Sequence, residues 1–387
     1  MKIRVEKVAF GGDGLGFVDG KACFVEGALA GETVEAEVYY NKDKFCKARV
    51  VAVEEASPER VTPPCPYYGN CGGCQYQHVS YPEELRMKAH QVAEGMTHAL
   101  KIDPAIIEPI VHSPKFYGYR NSVTLHTTRK NTGAPQRLGF VARDNRTRIQ
   151  VDNCLLADER LLGVFRAGHA LAREEKSRTF RLNLKGEAVS SGSDSVFDIL
   201  LGDQKILTSS AGFFQNNLDV AARAAARIRA WVEAVRPEAF ADLYAGVGTF
   251  SILSAAGRVN RIHAIEENGR SVFCLRKNFE DHGLSAENIY KGRTEQVFPE
   301  LLPKISEPGI LYFLNPPRQG IAPKLADLLA FPGPSKGIIY LSCDLAILIR
   351  DLKRLIAPGR FKVARVVPFD MFPRSKHIEI AVLLGPC

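Results

Sequence analysis

No stretch of this 387-residue sequence approaches the roughly 18 consecutive apolar residues that a membrane-spanning helix needs. Even the run YLSCDLAIL (340–348) is interrupted by polar side chains. The opening residues, MKIRVEKVAF, alternate charged and apolar positions and carry neither an apolar segment nor a small-residue cleavage site, so no secretory signal is expected. Internal repeats and low-complexity tracts are also absent, which sets aside solenoid and linker-like architectures. The charge excess is small: 51 Lys and Arg against 43 Asp and Glu, a net charge of +8. That leans towards a polyanionic partner without requiring one. These absences predict a cytoplasmic protein that does not enter membranes. Hydrophobic content of 45% and charged content of 24% fit a soluble globular chain, and its length fits two or three domains. In a reducing compartment the nine cysteines point to metal binding or catalysis rather than disulfides.

Short alternating runs (Ile3–Val8, Cys23–Val25, Thr33–Tyr40, Lys47–Val53) separated by glycines predict a small β-barrel over residues 1–58. Lys42, Lys44 and Lys47 cluster in and beside one of its loops, either as a solvated loop or as an RNA contact. A Pro-rich hinge, ASPERVTPPCP, opens a second region (59–208) with a cysteine loop and a helical stretch at Tyr81–Leu100. The segments TLHTTR, RLGFVAR, TRIQV and FRLNLKG then predict a mostly β central domain. From 209 to 387 strand and helix patterns alternate, which predicts a parallel, doubly wound α/β domain. Leu218, Ala221, Ala225, Ile228 and Val232 fall on one helical face. Seven strands are expected there: Phe240–Tyr244, Arg261–Glu266, Ile289–Tyr290, Ile310–Leu314, Gly337–Ser342, Lys362–Val367 and Ile378–Leu384.

DLYAGVGTF (242–250) sets a strand directly before a Gly-x-Gly turn and a helix. Gly246 and Gly248 would let the backbone pass close to a ligand at the strand's carboxyl end. Glu266, ending the next strand, can accept hydrogen bonds from the two hydroxyls of an adenosine ribose. The third glycine of the dinucleotide pattern is missing, which favours S-adenosylmethionine over NAD.

Three further segments fall at later strand ends: LNPPRQG (314–320), LSCDLAILIRDL (341–352) and DMFPRSKHIEI (370–380). Cys343 lies at a strand end just before a helix, where the helix N-terminus is expected to lower its pKa. A thiolate there suits attack on carbon 6 of uracil, which activates carbon 5 towards a methyl sulfonium; a base such as Glu379 must then remove the carbon 5 proton. Taken alone, Cys343 is more often an inert core thiol than a nucleophile, and Glu379 could equally be a surface charge on an edge strand. Cys65, Cys71 and Cys74 crowd three thiols onto one loop, a pattern for a bound metal; zinc held with His78 is the generic reading.

FFQNN (213–217), DLYAGVGTF, NPPRQG, SCDLAILIRDL and FPRSKHIE together resemble the ordered signature of the RNA 5-methyluridine methyltransferases, and FVEGALAGE (24–32) resembles the TRAM barrel of many members. The resemblance implies a Rossmann-like, seven-stranded class I methyltransferase domain behind an OB-like barrel and a mostly β central domain. It implies Cys343 as nucleophile, Glu379 as base, and Gln215, Tyr244, Gly246, Gly248, Thr249, Glu266 and Asn315 around S-adenosylmethionine and the base. Phe213 and Phe214 are expected to pack the pocket wall. It also implies a 4Fe–4S cluster on Cys65, Cys71, Cys74 and, far downstream, Cys154 in VDNCLLAD. The partner would be structured RNA, ribosomal slightly before transfer RNA, and the protein a monomer. Two departures stand out: Asn315 replaces the aspartate of the family's Asp-Pro-Pro-Arg, and Asp344-Leu345 replace its Asn-Pro. Asn-Pro-Pro is also similar to the motif of amino-group methyltransferases, so N-methylation is one alternative and a non-catalytic RNA-binding protein another.

Overall fold

The computed structural model describes residues 1–128, 137–166, 176–305, 309–330 and 335–387. Arg129, the last residue of TLHTTR, lies outside them.

β1 (Lys2–Val8), β2 (Gly14–Val18), β3 (Lys21–Glu26), β4 (Thr33–Asn41) and β5 (Phe45–Glu55) close into a barrel in the order β1-β2-β3-β5-β4, with β3 and β5 parallel. Alternate side chains, among them Ile3, Val5, Cys23, Val25, Val34 and Cys46, fill it. The sequence pattern omits β2, because its glycines look like punctuation. A Cβ on Gly16 would stand 2.4 Å from the Arg4 carbonyl oxygen, so these glycines sit inside a strand whose neighbour leaves no room for a side chain.

α1 (Tyr81–Leu100) begins where the Ser80 side chain accepts a hydrogen bond from Glu83 N, and ends at Lys101 in the left-handed conformation. Gln91 Nε2 donates to the carbonyls of Val8 and Ala9 at 3.2 Å, which seats the barrel on this helix. β6 (Ser122–Thr128), β7 (Arg137–Val141), β8 (Arg148–Gln150), α2 (Leu162–Arg166), β9 (Ser177–Leu182) and β10 (Ala188–Ser190) build the central region around an antiparallel sheet ordered β10-β9-β6-β7-β8. β11 (Val196–Leu201) and β12 (Gln204–Ser209) form a separate hairpin. Ile199, Leu201 and Ile206 of that hairpin are buried in the core of the following domain, although the sequence pattern divides the chain after residue 208.

The remaining elements are α3 (Leu218–Val235), β13 (Ala239–Asp242), β14 (Arg261–Glu266), α4 (Gly269–Asp281), β15 (Ile289–Lys291), α5 (Thr294–Leu301), β16 (Ile310–Leu314), α6 (Pro323–Ala330), β17 (Ser335–Ser342), α7 (Leu345–Ile356), β18 (Phe361–Phe369) and β19 (Glu379–Pro386). Their sheet runs β15-β14-β13-β16-β17-β19-β18, with β19 antiparallel to both neighbours. Both faces are covered, and all five residues of β16 are buried, as expected of a parallel sheet flanked by helices. α3 and α4 pack on one face; α5, α6, α7 and the end of α1 pack on the other. No helix among the described residues is long and apolar enough to cross a membrane.

One charged cluster ties α1 to this domain. Lys88 Nζ, fully buried, donates to Glu84 Oε1 and Asp370 Oδ1, each at 2.7 Å. Burial opposes the charge on Lys88, but the two carboxylates outweigh it and hold the amine protonated. Lys88→Met would leave Asp370 buried without its cation and Glu84 with Arg374 alone. We expect a loss of about 3–5 kcal/mol, read from the urea midpoint at constant slope.

Candidate active site

The ends of β13, β14, β16 and β17 open on one edge of the sheet, where α/β domains gather ligands. Ser342 and Ile380 are the last paired residues of the antiparallel β17–β19 ladder. One further step in that register sets Cys343 across from Glu379. Cys343 is half-buried, whereas Glu379 is buried.

The electrostatics overturn one expectation. Burial pushes the Cys343 thiol up to about 11; Glu379 and Asp344 add to the rise, and Arg318 opposes it. The helix N-terminus does not prevail, because Asp344 already caps α7: its carboxylate accepts from Ile347 N at 3.0 Å. Asp344 therefore brings a negative charge close to the thiol. Burial alone pushes Glu379 up to about 8. At neutral pH both groups are neutral in the free protein.

In the cofactor loop, Gly246 and Gly248 have φ of 56° and 87°. Only Gly246 leaves open space for a ligand; a Cβ on Gly248 would stand 2.6 Å from Leu275 Cδ1, so that glycine serves the packing of α4. Glu266 is anchored by Gly246 N at 2.9 Å and Asn268 N at 2.8 Å. The Tyr244 hydroxyl donates to Glu295 Oε1 at 2.9 Å, and Thr249 is buried. Gln215 and Asn315 are half-buried, and their side chains have no hydrogen-bond partner among the described residues. Phe213 and Phe214 do not share a role: Phe214 is core, while Phe213 is 76% exposed. Asp242, at the end of β13, accepts from Ser251 Oγ at 2.7 Å, but its Oδ1 is buried without a partner. Burial pushes this carboxyl up to about 7.

Cys65, Cys71, Cys74 and Cys154 line one cavity of about 300 Å3, together with Arg120. Among the described residues no three metal-ligating side chains already stand in a metal-binding arrangement. His78 is not among the residues lining it, and its Nδ1 meets the Tyr68 hydroxyl at 2.6 Å. Burial pushes the Cys74 thiol up to about 12, with Arg120 opposing.

The sequence reading missed Asp242, Arg318, Lys88, Asp370 and Arg374. Asp242 and Arg318 lie inside quoted motifs and were within reach. Lys88 sits four residues after Glu84, a spacing that looks like a surface ion pair.

The strand order, with its reversed strand next to the edge and a glycine turn after the central β13, is that of the class I S-adenosylmethionine-dependent methyltransferases. The solved Pyrococcus abyssi tRNA (uracil-54, C5)-methyltransferase in complex with S-adenosyl-L-homocysteine shares this fold at a TM-score of 0.72 and 21% identity, over 99% of this chain and 100% of that one. Residues 306–386 match the family model described as tRNA (Uracil-5-)-methyltransferase. The chain is 26% identical to the tRNA (uracil(54)-C(5))-methyltransferase of Schizosaccharomyces pombe, over 99% of this chain and 78% of that protein. It is 28% identical to an uncharacterized RNA methyltransferase of Thermotoga maritima, over 99% and 98%. The family match is thus carried by the C-terminal residues 306–386, while along its whole length the chain is similar to RNA methyltransferases.

Proposed function

We propose that this protein methylates carbon 5 of uridine in structured RNA through a covalent bond between Cys343 Sγ and carbon 6 of the ring. The observation that carries the reading is the register that sets Cys343 across from Glu379 at the ligand edge of the sheet. The Cys343 thiol releases its proton to solvent, the thiolate adds to carbon 6, and the carbon 5–carbon 6 pair moves to form an enolate. Bound S-adenosylmethionine would supply the methyl group on a sulfonium, a cation whose charge also favours the anionic forms of both residues. Once carbon 5 is methylated, the Glu379 carboxylate takes its proton. The released pair re-forms the ring double bond and expels the Cys343 thiolate.

The residues at the cofactor loop fit that methyl donor. Gly246 leaves open space, Gln215 and Asn315 keep unused hydrogen-bonding groups, and Asp242 Oδ1 lacks a partner. We assign the ribose hydroxyls to Glu266, and to Tyr244, Gly248 and Thr249 the shape of the loop around the donor. Asn315 retains hydrogen-bonding capacity where the family has a carboxylate.

The four thiols lining one cavity fit an iron–sulfur cluster better than zinc with His78, which does not line that cavity. Anaerobically purified protein is expected to carry about four iron atoms per chain and to lose them in Cys74→Ser. Stoichiometric zinc in place of iron would refute this assignment. We assign RNA binding to the barrel, where Tyr39 and Tyr40 lie exposed near Lys42 and Lys44.

The test is incubation of the purified chain with labelled S-adenosylmethionine and RNA containing 5-fluorouridine. Because fluorine cannot leave as a proton does, a denaturation-stable protein–RNA complex is expected. Its absence, with no methyl transfer to ordinary RNA, would sink the reading. Mapping 5-methyluridine in total RNA with and without the gene then separates transfer RNA, the substrate of the fission-yeast relative, from ribosomal RNA.

A further inference from the structure

The carboxyl of Glu379 has no hydrogen-bond or ion-pair partner among the described residues, so no neighbouring side chain aims it. Its place is set by the backbone, on one side by the β17 and β18 ladders and on the other by the loop 370–378. That loop is held from outside its own domain, and the hub is Arg374.

Arg374 has φ of 65°, left-handed for a residue with a side chain. Such a conformation is strained and persists only where the surroundings dictate it. Here they hold its backbone N–H, its carbonyl and Nη1, while Nε is buried without a hydrogen-bond partner among the described residues. Arg374 N donates to Glu84 Oε1 at 2.7 Å. Nη1 donates to the Val79 carbonyl at 2.8 Å and stands 3.3 Å from Glu84 Oε2. The guanidinium carbon sits 4.7 Å from the ring centre of Phe116, 5.2 Å from Tyr117 and 5.3 Å from Tyr81. A buried arginine enclosed by three aromatic rings is a fixed post.

The carbonyl of Arg374 accepts from Gln75 N at 2.9 Å and Tyr76 N at 3.1 Å. Gln75 directly follows Cys74, and its Oε1 accepts from Lys376 N at 3.0 Å while its Nε2 donates to the Gly72 carbonyl at 3.0 Å. The cysteine loop thus grips the base loop at two residues, five and three positions before Glu379.

We propose that Arg374 is a positioning residue for Glu379, and that the cysteine loop acts on the reaction through Arg374 and Gln75, by setting the step in which Glu379 removes the carbon 5 proton. In that step the C5–H pair re-forms the C5–C6 double bond and the Cys343 S–C6 bond breaks. The proposal rests on the uridine methylation reading given above.

The test uses two variants of the full chain, Arg374→Lys and Gln75→Met; the second removes only side-chain bonds of a half-buried residue. Displacing a catalytic group costs turnover steeply, and kcat on ordinary RNA is expected to fall about 10–100-fold, with KM for RNA unchanged. Formation of the stable complex with 5-fluorouridine RNA does not use the base and is expected to keep the wild-type rate. A complex with ordinary RNA, short-lived in the wild type, should become trappable on denaturing gels. Overturning results are a parallel fall in complex formation and turnover, or no change in either for both variants. If the wild type itself forms no complex, the methylation reading fails, and this inference with it.

Discussion

Cys343→Ala is expected to abolish methyl transfer, by on the order of 10⁴-fold or more, and to leave no denaturation-stable complex with 5-fluorouridine RNA. Carbon 5 of uracil is too weak a nucleophile to take a methyl group without prior attack at carbon 6, so the thiol cannot be bypassed. Because the free thiol is pushed up to about 11, only a small fraction is thiolate at neutral pH. Two consequences follow. Iodoacetamide should label Cys343 slowly in the free protein, faster as pH rises, and faster once the methyl donor's positive charge is present. Binding of S-adenosylmethionine, measured calorimetrically, should survive the substitution, because no part of the cofactor loop is altered. Methylation that persists in Cys343→Ala would instead support the amino-group alternative suggested by Asn315.

Glu379→Gln should separate the two halves of the reaction. The glutamine cannot take the carbon 5 proton, so turnover falls about 10²–10⁴-fold while the covalent complex accumulates on ordinary RNA. The pH dependence follows from burial. The carboxyl is held up to about 8 in the folded chain, against an ordinary value of 4.5. In the free protein it can act as a base only above that range, so wild-type kcat/KM rises with pH through about 8. Stability runs the opposite way. Below the ordinary value both folded and unfolded chains hold the proton. Between the two values only the folded chain does, and stability is lost as pH rises towards 8. The glutamine removes this penalty, so its melting temperature should exceed the wild type's by a margin that widens from pH 5 to pH 8. An equal margin at both pH values would show that Glu379 is not a raised carboxyl.

Much of this architecture was legible because it is local. Each of the seven segments read as strands in the C-terminal domain forms one, since a buried parallel strand is a short apolar run bounded by turn residues. α1 spans Tyr81–Leu100 as its pattern indicates, and the structure caps it with Ser80 and stops it at Lys101 in the left-handed conformation. Where strand gave way to strand without an apolar run, as at GLGFV, the pattern failed. The glycines of β2 answer to the nearness of β1, which lies outside the segment itself.

The chemistry divides along the same line. Residue type and spacing marked the cofactor loop and the clustered Cys65, Cys71 and Cys74, and the resemblance of the ordered motifs marked Cys343, Glu379 and the distant Cys154. The opposition of Cys343 and Glu379 depends on β19 reversing direction between β17 and β18, a property of the whole sheet. The same is true of the thiol's acidity. A helix N-terminus is a local feature and argues for a low value, but burial and the charge of Glu379 come from distant segments and outweigh it. Glu84 and Lys88 show it most plainly. Their spacing suits an exposed ion pair, yet Asp370 and Arg374 arrive from the far end of the chain and make them the buried anchor of the base loop. Local pattern can tell which groups exist and on which element. Charge, burial and aim depend on neighbours tens to hundreds of residues away, and only packing brings those together.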